Sequence, residues 1–174
     1  MKVPFTLSTV VKNLKFLHAN GGLKFRLFVT LTTVVLFTLF IIYGYDGQSE
    51  YYRLYYFVPV SVPIVFFIFD RLSRRDQLTI KEYLIDFTIA FVSLVRIYYP
   101  IPFYSGHALF LTYALFTSKS KACLIATVLV LAQTAYIKLF LWAPDYSLSG
   151  GIILGFLASV FYRQIPKQAS YQTQ

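Results

Sequence analysis

Six apolar stretches, separated by short polar or basic turns, constrain this chain more than any single residue does. They run roughly over 27–43, 51–69, 83–99, 105–118, 122–142 and 147–162. A perpendicular helix needs about 20 residues to cross the hydrocarbon core of a bilayer. The fourth and sixth stretches are shorter, which predicts a recess at one face of the assembly. Pro59 and Pro63 predict a kink in the second. Only 13% of the residues are charged and 57% are hydrophobic, whereas a soluble domain carries about 25% charged residues. The pattern predicts an all-α integral membrane protein, with a six-transmembrane-helix bundle over 26–164.

Residues 1–25 read differently. Leu7, Val10, Val11, Leu14 and Leu17 recur at helical spacing, and Lys12, Asn13, Lys15 and His18 fall mostly off that stripe. An N-terminal amphipathic interfacial helix closed by Gly21 and Gly22 is expected, retained rather than removed as a signal peptide. Residues 165–174 are expected to form a cytoplasmic tail.

The basic residues set an orientation. Lys2, Lys12, Lys15, Lys24 and Arg26 precede the first stretch, and Arg71, Arg74, Arg75 and Lys81 lie between the second and third. Lys119 and Lys121 separate the fourth and fifth, and Arg163 and Lys167 follow the sixth. In a six-span chain all of these fall on one side, and only Arg53 lies in a loop on the other. The positive-inside rule makes the basic side cytoplasmic. A multi-pass protein with both termini cytoplasmic follows, and the turns carrying His107 and Asp145 face outward. The net charge of +9 thus reflects topology and anionic lipid headgroups, and nucleic acid is not an expected partner. Lone Cys123 forms no internal disulfide, and no zinc-type Cys/His spacing occurs. Neither a metal nor another cofactor is expected.

Arg96 and Lys138 lie inside apolar stretches. An ionisable group there costs about 2.5–3.5 kcal/mol, so it either snorkels to the headgroups or has a partner or a task. Glu82, Asp86, Ser93 and Arg96 share one helical face, and Thr134, Lys138 and Leu141 share another. Both faces are expected to point into the bundle. For Glu82 and Asp86, polar contact between helices is the simplest use. Arg96, His107, Lys138 and Asp145 all approach the outer side, beside the helix start at Ser105-Gly106-His107. A helix start offers unbonded N–H groups and a partial positive charge, which suits phosphate. Cations would neutralise that anion, and the imidazole could move protons.

The run Arg96-x-x-x-Pro100-x-Pro102-Phe103-Tyr104-Ser105-Gly106-His107, continuing through Leu111-Thr112, resembles the core of the type-2 phosphatidic acid phosphatase superfamily. It is nearest the sphingomyelin synthase-like branch, where Ser-Gly-His-Thr opens an apolar helix. Leu141-Trp142-Ala143-Pro144-Asp145 followed by Gly151-x-x-x-Gly155 resembles the family's last motif, His-x-x-x-Asp before small residues. The resemblance implies a phosphoryl-histidine mechanism on six spans with an outward-facing site. It makes His107 the general acid, Asp145 the carboxylate that orients the nucleophilic histidine, and Ser105 and Gly106 parts of a phosphate cradle. Arg96 becomes a phosphate clamp, and Lys138 has no strict counterpart.

The chain departs from that pattern where the nucleophile belongs. Leu141 stands four residues before Asp145, and no other outer histidine exists besides His107. The family's first motif is also missing, since Ile89 occupies the lysine position seven residues before Arg96. A leucine can neither attack phosphorus nor carry a proton. The sequence therefore favours a degenerate, lipid phosphatase-like pseudoenzyme. Such a protein holds a phospholipid or lipid-phosphate headgroup at the extracytoplasmic face, as a homo-oligomer or as a subunit of a larger membrane complex. The alternative is an active lipid-phosphate phosphatase or headgroup transferase using His107 and Asp145. Gly151-x-x-x-Gly155 permits close helix contact, within the bundle or between copies.

Overall fold

A computed structural model of the chain describes residues 23–44, 52–99, 101–141 and 146–166. They form six α-helices: α1 Leu23–Gly44, α2 Tyr52–Ser73, α3 Ile80–Tyr98, α4 Gly106–Thr117, α5 Lys121–Tyr136 and α6 Ser147–Gln164. α5 runs on into a π-helical turn, Ile137–Leu141, and a short 3₁₀ turn, Arg75–Gln77, follows α2. No strand occurs among the described residues. The expected interfacial stretch lies outside them, except for its last three residues, which already belong to α1. Most of the expected tail lies outside as well.

The helices begin where the sequence supplies caps. The Thr79 hydroxyl accepts from the Glu82 backbone N–H at 3.3 Å, and the Glu82 carboxylate accepts from the Thr79 backbone N–H at 2.7 Å. This capping box satisfies two helix-end donors at the start of α3. Ser120 caps α5 through the Cys123 N–H. α2 continues through Pro59 and Pro63 as one helix.

Two segments, Leu23–Phe40 in α1 and Lys121–Phe140 across α5 and its π turn, are long and apolar enough to cross a membrane. The other helices carry charge or are short: Asp70 and Arg71 in α2, Glu82, Asp86 and Arg96 in α3, and only 12 residues in α4. Their charges are turned inward. Asp70, Arg71 and Glu82 are buried, whereas Phe87 and Phe91 on the outer face of α3 are 70% and 57% exposed.

α4 is the axis of the assembly. At 12 residues it is about 18 Å long, and nine of those residues are buried. It packs against α6, α5, α3 and α2, while α1 stands outside against α5 and α2. α4 and α6 approach each other closely. A Cβ added at Gly151 would lie 2.5 Å from the Ser105 carbonyl oxygen, and one at Gly155 would lie 2.5 Å from that of Leu109. The glycine pair is thus used inside the bundle, where the two backbones nearly touch.

One end of the bundle is closed by Arg71. The sequence suggested a loop cation, yet Arg71 sits in the last turn of α2 and is only 4% exposed. Its Nε and Nη2 donate to the two carboxylate oxygens of Asp86 on α3, at 2.8 and 3.0 Å, and its Nη1 donates to the Thr117 carbonyl at the end of α4, at 3.1 Å. The guanidinium carbon lies 4.3 Å from the Phe67 ring centroid and 4.8 Å from that of Tyr162. The Tyr113 hydroxyl donates to the same Asp86. Asp70 accepts from Arg74 and from the Lys119 backbone N–H. The interhelical contact expected of Asp86 is present, and its partner is Arg71.

A buried ion pair that loses one member leaves an uncompensated charge, at a cost of about 3–5 kcal/mol, whereas an apolar replacement of both members is far milder. Arg71→Leu alone should therefore destabilise the protein by about 3–5 kcal/mol, and Arg71→Leu with Asp86→Leu by clearly less than the sum of the single changes. Chemical unfolding in detergent micelles reads both quantities. Additive losses would show that the pair is not coupled.

Candidate functional site

The opposite end of α4 gathers the residues that the sequence singled out. Residues 101–105 approach α4 without helix, and Ser105 is its N-cap in an extended conformation. The Ser105 hydroxyl accepts from the Ala108 N–H at 3.5 Å, and its own N–H donates to the Ser147 carbonyl at 2.7 Å. Gly106 follows because a side chain there would collide with the Ser93 carbonyl on α3. His107 then falls in the first turn of α4, partly buried.

Arg96 comes from the last turns of α3. Its Nε donates to the Tyr104 carbonyl at 3.0 Å, and the Tyr104 hydroxyl returns to α3 by donating to the Val92 carbonyl at 3.1 Å. These two bonds pin the segment before α4 to the end of α3. Arg96 itself is partly exposed.

Lys138 comes from the π turn after α5. π turns within α-helices occur frequently at functional sites. The side chain does not snorkel outward: it is 6% exposed, and its ammonium donates to the Ser147 hydroxyl at 3.1 Å. Ser147 opens α6 and is fully buried. The Ser147 carbonyl in turn holds the N–H of Ser105, two residues before His107.

Arg96, Ser105, Gly106, His107 and Lys138 are therefore brought to one junction of α3, α4, α6 and the π turn. Asp145, the remaining expected site residue, lies outside the described residues, and the side chain of Leu141 is not described either. The described carboxylates, Asp70, Asp76, Glu82 and Asp86, belong to the end of α2, the turn after it and the start of α3, at the far end of the bundle. No group of three His, Cys, Asp or Glu that could hold a metal occurs among the described residues.

Two contributors escaped sequence reasoning. Ser147 reads as an ordinary helix-start serine, and its bond to Lys138 depends on a π turn that side-chain periodicity does not reveal. The Tyr104 carbonyl carries no residue-specific signal at all. The chain matches no family model, and no curated protein or solved structure is significantly similar to it.

The inward seat of Lys138 has a direct chemical consequence. Lys119 and Lys121 are exposed at the other end of the bundle. In the folded protein, an amine-acetylating reagent should modify Lys119 and Lys121 while leaving Lys138 intact until the protein is denatured, as read by peptide mass spectrometry. Equal modification of all three in the folded state would place Lys138 on the outer surface of the bundle.

Proposed function

We propose that this chain is a six-span membrane protein that holds a phosphorylated lipid headgroup at its extracytoplasmic face without turning it over, in the manner of a degenerate lipid phosphatase. The observation that carries the reading is the convergence of Arg96, Lys138 and His107 on the N-terminal end of a buried helix. Two cations and the positive end of a helix match an anion in charge. Arg96 suits the role of clamp because its Nε is fixed by Tyr104 while its terminal nitrogens remain to meet a ligand.

The multi-pass reading is supported by which residues face out. Phe28, Phe87, Phe103 and Phe140 are each more than 60% exposed, while Asp70, Arg71, Gln133 and Lys138 are buried. That arrangement is the reverse of what water favours, and it suits helices whose outer faces meet acyl chains. Lys24, Arg75, Lys81, Lys119, Lys121 and Arg163 lie at the Arg71 end. The positive-inside rule then assigns that end to the cytoplasm and the His107 end to the exterior.

Absence of turnover follows from Leu141. The motif that the sequence resembles needs a nucleophilic histidine at that position, and a leucine offers no lone pair. Binding and turnover are separable by assay. The purified protein should bind short-chain phosphatidic acid more tightly than short-chain diacylglycerol, and should release no inorganic phosphate. Removing one charge-assisted contact typically weakens binding about tenfold or more, so Arg96→Ala should lower affinity by at least that factor. Phosphate release that disappears in both His107→Ala and Asp145→Asn would instead establish an active phosphatase or transferase.

A further inference from the structure

We propose that the outer seam between α4 and α6, at the Arg71 end, is a second lipid site, which holds an anionic phospholipid of the leaflet at that end. It rests on the membrane-embedded reading above and is independent of the headgroup site. Along α6, Ile152, Phe156, Val160 and Arg163 follow steps of four, four and three, so they share one helical face. All four are exposed. The stripe is apolar along its length and ends on a cation. From Ile152 to Arg163 it rises about 16 Å, and one leaflet of the hydrocarbon core is about 15 Å thick. An acyl chain laid along the stripe would place its headgroup at the level of Arg163.

The second wall comes from α4. The Phe116 and Phe156 rings meet edge to face with 5.3 Å between centroids, and both residues stay exposed. The Arg163 guanidinium donates to the Phe116 carbonyl at 2.9 Å and lies 6.0 Å from the Phe116 ring centroid. Its charge is thus held at the last turn of α4, close in sequence to Lys119. Lys119 and Lys121, on the turn after α4 and at the start of α5, are exposed as well. The ion pairs among the described residues join Arg71, Arg74 and Arg75 to Asp70, Asp76 and Asp86, and none includes Lys119, Lys121 or Arg163. Cations outside any of these pairs, above a wall of phenylalanine rings, complement a lipid with acyl chains and a net negative headgroup. A zwitterionic lipid offers them no net charge.

The test measures which lipid touches this seam. In a Trp142→Phe background, which removes the chain's single tryptophan, Phe156→Trp supplies a reporter on the stripe. Phe87→Trp supplies a control reporter on the exposed face of α3. The full chain is reconstituted in phosphatidylcholine vesicles that contain brominated phosphatidylglycerol or brominated phosphatidylcholine. Fluorescence quenching by each gives the relative affinity of the two lipids at each reporter. A basic residue near a membrane surface is worth about fivefold in attracting an anionic lipid. A preference for phosphatidylglycerol of at least that factor is expected at position 156, and a smaller one at position 87. Lys119→Gln with Lys121→Gln should move the preference at position 156 toward one, and adding Arg163→Gln should abolish it. Both lysines are exposed, so that pair supplies the reading even if Arg163→Gln does not fold.

Equal quenching by the two lipids at position 156, the same preference at positions 156 and 87, or a preference unchanged by loss of both lysines would overturn the site while leaving the membrane-embedded reading standing. Absence of quenching by either lipid at both reporters would overturn the membrane-embedded reading and this site with it.

Discussion

The near-contact of α4 and α6 is the constraint on which the other features depend. Close packing with interhelical hydrogen bonds holds these two helices together. Gly151 and Gly155 let the α6 backbone reach within van der Waals distance of Ser105, Ala108, Leu109 and Thr112. That approach is what brings the Ser147 carbonyl within 2.7 Å of the Ser105 N–H. With α6 displaced by a side chain's width, Ser105 would lose its partner, and Lys138 would lose the helix start toward which it points.

α4 carries a polar centre at each end, and the two differ in chemistry. At the C-terminal end, Arg71 has its hydrogen-bonding groups committed to Asp86 and to the Thr117 carbonyl, between two aromatic rings. Cation and carboxylate are matched there, so this centre is best understood as a fastening for α2, α3, α4 and α6. At the N-terminal end, Arg96 and Lys138 converge with the positive end of the helix dipole. Like charges gathered in this way favour an anion among them, whether a carboxylate of the chain or a phosphate from outside. The two ends thus divide the labour: one holds the bundle, and the other gathers the candidate site.

Much of this was legible in the sequence. The apolar stretches and their punctuation located all six helices to within a few residues, because a polar turn between long apolar runs leaves little freedom of assignment. Ser105-Gly106 marked the start of α4 for a reason the structure supplies: serine caps, and only glycine fits against Ser93. The shared face of Glu82, Asp86, Ser93 and Arg96 does point inward. Less legible was Arg71, which looks like a loop cation because nothing local reveals that α2 continues past the apolar run and folds it under Tyr162. The seat of Lys138 was hidden for a related reason: a π turn is set by tertiary packing, not by side-chain periodicity. Asp145 remains a reading of the sequence alone.

Sidedness is the point at which the whole account is most exposed. In a Cys123→Ser background, a single cysteine at Phe103, beside the proposed site, and another at Lys119, beside the Arg71 centre, can be probed in intact cells with a membrane-impermeant maleimide. The account predicts that the cysteine at position 103 is labelled from outside and the one at 119 only after permeabilisation. Labelling of both from the same side, or in the opposite order, would contradict it.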